Sequence, residues 1–246
     1  VFSLISTWLT FYQYRVTLNE DNITIEHGLI KKNKYILQKD KINGVILRQN
    51  MIMQFFGCYS LDVSIIGHSS NEEDQKNQNS LPLLFPIAKK DKATMIIHRI
   101  FPDWETDFIL EKSPKRAYPY YFRNPLFVLL LLCAVPIYLF HIPLFFVPYG
   151  IVLCLSVISK ILQIKNAGLF HGQYILVLRH GGFSPSTEMI RLNSIEHVST
   201  QASVFKKRKK IANITIGYIA PKLHSSVSVK NMDDSHLKTI EQLLTY

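Results

Sequence analysis

Short stretches of alternating apolar and polar residues dominate the first hundred positions, and they predict strands. Tyr14 to Leu18 alternates, Asn19-Glu20-Asp21-Asn22 turns the chain, and Ile23 to Glu26 returns before a second turn at His27-Gly28. Lys34 to Leu37, Gly44 to Leu47 and Leu61 to Ile66 continue the meander. Gly67 to Ser80 is polar and acidic without periodicity, which reads as a solvated loop, and Leu81 to Phe85 returns. Over Ala88 to Phe101 the period changes to that of a helix, with Ala93, Ile96, Ile97, Ile100 and Phe101 on one stripe.

The pattern then breaks. From Asn124 to Ser159, 36 residues pass without Asp, Glu, Lys or Arg. A single helix of that length would measure ~54 Å against a hydrocarbon core of ~30 Å. Two helices, roughly Pro125 to Phe140 and Leu144 to Leu162, fit better, with a turn at His141-Ile142-Pro143. The expectation is a transmembrane hairpin over residues 124–163, favoured over a re-entrant loop. Lys112, Lys115, Arg116 and Arg123 before it, and Lys160 and Lys165 after it, put both flanks on the cytoplasmic side. Residues 1–11 are uncharged and apolar and read as the end of an upstream transmembrane helix. The chain is therefore expected to be the C-terminal portion of a longer protein.

An internal repeat organises the rest. Lys41 to Val63 shifted by 153 residues meets Ser194 to Ile216 without a gap: Ile42 falls on Ile195, Val45 on Val198, Leu61 on Ile214 and Val63 on Ile216. Upstream, Tyr14 to Leu18 resembles Tyr174 to Leu178, with seven fewer residues before the shared block. The second copy closes with a helix after Asp233, carrying Leu237, Ile240 and Leu244. The predicted class is α+β, with copies over residues 12–110 and 168–246 and a basic, aromatic juxtamembrane linker over 111–123.

In the first copy, Tyr14, Val16, Leu18, Ile23, Ile25, Gly28, Leu29, Lys41, Ile42, Val45, Arg48, Gln49, Phe56 and Gly57 fall in an order that resembles the bacterial pleckstrin-homology-like (bPH2) membrane family. Members of that family alternate such domains with transmembrane hairpins. The resemblance implies two PH-like antiparallel β-barrel or sheet domains, each closed by a C-terminal helix and separated by the hairpin. The second copy departs from the pattern: it lacks the Gly-Leu element, and Lys210 stands where the first copy has Gly57. The resemblance implies no catalytic residue.

Charge sharpens the picture. The net charge is +10, yet residues 14–110 hold 12 basic and 12 acidic side chains; the excess lies in 111–167, with six against one, and in 168–246, with ten against five. A basic protein beside a membrane suits an anionic leaflet. The three cysteines lack metal-ligand spacing and fit a reducing compartment. No phosphate-binding, dinucleotide, nucleophile-elbow or zinc-protease motif is present, the histidines are scattered, and neither a cofactor nor a metal is expected.

The repeat also singles out one position. Met51-Ile52-Met53-Gln54-Phe55-Phe56-Gly57 is apolar, while its equivalent Val204-Phe205-Lys206-Lys207-Arg208-Lys209-Lys210 is pentabasic. Met51, Ile52, Met53, Phe55 and Phe56 suit a bilayer interface, and Lys206, Lys207, Arg208, Lys209 and Lys210 suit anionic head groups. The plainer alternatives are core packing for the apolar segment and a solvated hairpin tip for the basic one. Nucleic acid is not expected, since no aromatic residue interleaves the charges.

The expected function is non-catalytic: a multi-pass protein of the bacterial cell membrane whose cytoplasmic PH-like domains dock a partner protein, such as a smaller family relative, or an anionic lipid. Envelope stress or membrane protection is a plausible setting. A component of a transport or export complex is the alternative, disfavoured because the apolar run carries no charge to mark a substrate path.

Overall fold

A computed structural model describes residues 9, 11–29, 32–65, 83–123, 146–219, 225–235 and 240. Three strands come first: β1 (Arg15–Leu18), β2 (Asn22–His27) and β3 (Asn33–Gln38), paired in that order. A 3-10 turn at Lys39–Lys41 leads to β4 (Ile42–Arg48), helix α1 (Met51–Phe55), β5 (Cys58–Ile65), β6 (Leu83–Lys89) and helix α2 (Lys90–Ile100). A two-residue strand β7 (Glu111–Lys112) and a helical segment at 118–123 precede helix α3 (Phe146–Asn166). The second half holds β8 (Gly168–His171), β9 (Ile175–His180), β10 (Ser186–Arg191), a 3-10 turn at Leu192–Ser194, β11 (Ile195–Gln201), helix α4 (Val204–Arg208), β12 (Ile211–Tyr218) and β13 (Ser225–Asp233).

The repeat is closer than the sequence suggests. Each of β1, β2, β3, β4 and β5 reappears with identical bounds 153 residues later, as β8, β9, β10, β11 and β12. The bulge between Ile42 and Gly44 recurs between Ile195 and His197. Two sequence expectations are corrected. The partner of β1 is β8, not the segment Tyr174 to Leu178, which belongs to β9. The turn glycine is also kept: Gly28 and Gly181 both adopt φ +108°, a backbone region that only glycine occupies without a Cβ clash. Only the residue after it differs, Leu29 against Gly182.

The two copies interlock. The central sheet runs β6-β5-β4-β10-β9-β8-β7, so strands of the first copy continue directly into strands of the second. The junction is the antiparallel β4–β10 ladder, with Met189 opposite Val45 and Glu188 opposite Ile46. Side chains alternate across this wall. On one face Val45, Leu61, Val63, Ile175, Val177 and Met189 pack with the β1-β2-β3 sheet and with Ala93, Ile97 and Ile100 of α2. On the other, Leu169, Leu176, Leu178 and Ile190 pack with Ile214, Ile216, Val227 and Val229 of the β11-β12-β13 sheet. The result is three layers of sheet and two cores, each fed by the shared wall.

This overturns the expected architecture of two PH-like domains separated by a transmembrane helical hairpin. The copies share a sheet and a core instead of standing apart. Among the described residues no helix is long and apolar enough to cross a membrane. Where the second arm was expected, α3 carries Lys160, Gln163, Lys165 and Asn166 in its last turns. Those turns are held by protein: Asn166 donates to the carbonyls of Gly181 (3.3 Å) and Gly182 (3.1 Å). The expected first arm, Pro125 to Phe140, and its turn lie outside the described residues, as do most of residues 1–11, the whole loop 67–80 and most of the expected closing helix of the second copy.

Candidate functional site

Helices α1 and α4 occupy the same place in the two copies, bridging β4 to β5 and β11 to β12. Both start after a small polar residue. Asn50 accepts a hydrogen bond from the Met53 amide at 2.8 Å, and Ser203 precedes α4. Both end on a left-handed residue, Gly57 or Lys210. One backbone frame therefore presents two chemistries.

In α1 the apolar side chains point outward. Met51, Ile52, Phe55 and Phe56 are exposed, Phe55 to 87%, while Met53 is half-buried. Packing of this segment into a core is thus not what holds it. Gln54 fixes the helix by donating to the carbonyl of Phe183 at 2.5 Å, in the β9–β10 turn of the second copy. That turn also contacts α3, since Gly182 lies against Ser159 and Gln163. Outward along α3, Ile151, Val152, Leu155, Ile158 and Ile161 are exposed as well. The exposed apolar residues of α1 and α3 thus flank one turn.

In α4, Val204, Phe205, Lys207 and Arg208 are exposed, as are Lys209 and Lys210 behind it. Lys206 is half-buried and donates to Asn213 Oδ1 at 2.9 Å. The segment at 118–123 lies alongside. Tyr120 donates its hydroxyl to the Phe205 carbonyl at 2.9 Å, and the Arg123 guanidinium stacks 5.8 Å from the ring centroids of both Tyr120 and Phe205. Beside the expected basic residues, the fold therefore adds Tyr120, Arg123 and Asn213. In the sequence Arg123 reads only as a topology signal, because nothing in the order of residues announces contacts such as Tyr120 to Phe205, across 85 positions.

These groups line a polar cleft of about 540 Å³, bounded by Tyr120, Arg123, Thr200, Gln201, Ala202, Ser203, Lys206 and Asn213. Burial pushes the Lys206 ammonium below its ordinary value, and the cations Arg123 and Lys230 push it the same way. None of the residues lining the cleft is acidic. Among the described residues it gathers positive charge, suited to an anionic or carboxylate-bearing group.

A second ionisable cluster sits inside the β4–β10 junction. Glu188 is buried, accepts a hydrogen bond from the Tyr218 hydroxyl at 3.2 Å, and has its pKa raised by burial to about 7. Asp62, two strands away, is raised by burial to about 6 although Arg48 Nε stands 3.4 Å from it. His180 Nε2 lies 3.9 Å from Glu188 Oε1, while burial and then Arg48 push the His180 pKa down, against a charged ring there.

Comparison with known proteins agrees with the repeat. The family described as Bacterial PH domain matches residues 1–100 and 126–246, one stretch in each half. The chain is also 26% identical over 244 residues, 98% of its length, to the UPF0699 transmembrane protein YdbT of Bacillus subtilis (strain 168). That match covers 45% of YdbT, so the chain spans about half the length of the curated relative it matches. With both halves matched and most of the chain covered, this protein belongs to the bacterial PH domain family.

Proposed function

We propose that this protein is a non-catalytic docking module that works against the inner face of a bacterial cell membrane. The observation that carries the reading is the pairing of exposed apolar α1 with exposed basic α4 on equivalent positions of one interlocked body. Aromatic and methionine side chains enter the head-group boundary, and each basic residue near an anionic leaflet adds roughly 1 kcal/mol, screened within a Debye length. The relative's name, transmembrane protein, supports a membrane setting.

The test is flotation of the full chain on vesicles, comparing neutral phosphatidylcholine with mixtures containing an anionic lipid. Lys207, Arg208, Lys209 and Lys210 replaced together by Gln are expected to remove the preference for anionic vesicles and its salt dependence. Phe55→Ser with Phe56→Ser is expected to weaken binding to both vesicle types. Unchanged anionic preference in the charge variant would overturn the reading.

A further inference from the structure

The junction between the copies uses two strand edges and leaves their equivalents unused. Strand β4 pairs with β10 along one edge, whereas its equivalent β11 pairs, among the described strands, with β12 alone. Likewise β10 is paired on both sides, while its equivalent β3 pairs, among the described strands, with β2 alone. Met189 in β10 is 1% exposed and its equivalent Ile36 in β3 is 62% exposed. The junction is heterologous: one kind of edge meets a different kind, and among the described strands one of each kind has no partner strand.

The basic cleft belongs to this comparison. Its lining residues Thr200, Gln201, Ala202 and Ser203 are the equivalents of Leu47, Arg48, Gln49 and Asn50. In the first copy that place is filled by the β9–β10 turn: Gln49 N donates to the Pro185 carbonyl at 3.0 Å, and Leu47 pairs with Thr187. In the second copy the same place is the open cleft.

We propose that the β11 edge and its basic cleft dock the edge hairpin of a PH-like repeat in another protein, one neutral or acidic at its turn. Charge selects against a second copy of this chain. The equivalents of Pro185 and Thr187 are Lys32 and Lys34, both exposed; Lys34 pairs with Glu26 at 3.0 Å in the same hairpin, so Lys32 carries most of the repulsion. Head-to-tail pairing of two copies would carry Lys32 towards Ala202 and Lys34 towards Thr200, beside Arg123 and Lys206. Like charges brought together at an interface disfavour that pairing. The two lysines thus keep identical chains from growing into a filament while leaving β11 open to a hairpin without them. Ladder hydrogen bonds would supply affinity, and the cleft would supply specificity. This goes beyond membrane docking and needs no lipid.

Site-directed cross-linking of the full chain in detergent tests it. In a background with Cys58, Cys133 and Cys154 replaced by Ser, and with native-like thermal unfolding, Val198→Cys is placed on one chain. Ile36→Cys is placed on a second, with or without Lys32→Glu and Lys34→Thr. By the β4–β10 register, positions 198 and 36 then face each other as Val45 and Met189 do. The charge-altered partner is expected to form the mixed disulfide at least about tenfold more than the unaltered one, given ~1.4 kcal/mol per tenfold. Lys206→Glu in the Val198→Cys chain should shift the preference toward the partner that keeps its lysines, which guards against a folding defect in the altered chain. Equal yields with both partners, or dominant Ile36→Cys homodimers, would overturn the proposal. Neither result bears on vesicle binding.

Discussion

Gly57 and Lys210 hold the same backbone corner in the two copies, with φ of +62° and +53°. The first is the residue type that adopts this region without cost; the second carries a Cβ that crowds the following carbonyl. Lys210 is nevertheless held there, because its own carbonyl accepts hydrogen bonds from the Asp234 amide at 3.1 Å and from Arg116. Lys210→Gly is expected to stabilise the protein by about 0.5–1 kcal/mol, and Gly57→Ala to destabilise it by about 1 kcal/mol. No heavy atom lies within 4 Å of a Cβ built on Gly57, so its effect would be conformational and not steric. Urea unfolding of the two variants would show opposite shifts of the midpoint, and shifts of the same sign would contradict the account.

The shared sheet predicts a single unfolding unit. Trp104 packs on Phe101 in the core of the first copy, at 4.2 Å between ring centroids. Ile214 is buried in the other core, on strand β12. Ile214→Ala should cost about 2–5 kcal/mol. If β4 and β10 couple the cores, then with Trp8 replaced by Phe, Trp104 fluorescence and far-ultraviolet circular dichroism will fall together, both at the lowered midpoint. Trp104 retaining its original midpoint would mean that the copies unfold separately. The same coupling implies that residues 168–246 alone will not hold their fold, since Ile175, Val177 and Met189 would lose the core they fill.

Replacing Phe55 and Phe56 by Ser should leave stability nearly unchanged. These rings are exposed and meet each other edge to face at 5.3 Å. Surface substitutions of this kind fall within about 0.5 kcal/mol. Thermal unfolding in detergent would check it, and a loss comparable to that of Ile214→Ala would show that the pair has a packing role.

Much of the strand pattern was legible because a period of two survives wherever one face of a strand meets a core. Tyr14 to Leu18, Ile23 to Glu26 and Lys34 to Leu37 all fall in or next to β1, β2 and β3. The β4–β10 ladder was not legible, because pairing between distant edges leaves no local period. Its trace was present in the comparison of copies. β4 reads Ile-Asn-Gly-Val-Ile-Leu-Arg where β11 reads Ile-Glu-His-Val-Ser-Thr-Gln, and β9 reads Ile-Leu-Val-Leu where β2 reads Asn-Ile-Thr-Ile. Near-continuous apolar runs mark strands covered on both faces. The upstream misalignment arises from matching alternation, which any strand satisfies, instead of anchoring on Gly28 and Gly181. At the site, the charges of α4 were plain in the sequence, whereas the contacts with Tyr120 and Arg123 depend on how the linker folds back.

Burial of Glu188 makes the junction sensitive to pH. Its pKa is raised from an ordinary value of 4.5 to about 7, first by burial, with Tyr218 and Arg48 acting the other way. The carboxyl faces Tyr218 of β12 and His180 of β9, with Arg48 of β4 and Asp62 of β5 on the same side of the sheet. A folded carboxyl that holds its proton more tightly than the unfolded one stabilises the fold at low pH. That contribution is complete below about pH 4.5 and is lost as pH rises through about 7. Asp62, raised to about 6, acts in the same direction. Each tenfold difference in proton affinity between the folded and unfolded chain is worth about 1.4 kcal/mol, so between pH 5 and 8 the protein should lose about 2 kcal/mol from Glu188. Glu188→Gln keeps the hydrogen bond to Tyr218 without the charge, so it should flatten most of that slope and be more stable than the unaltered chain at pH 8. Denaturant unfolding at pH 5, 6.5 and 8 for both proteins decides it: parallel stability profiles would mean that Glu188 is ionised in the folded protein throughout this range and that the junction is wetter than its burial implies.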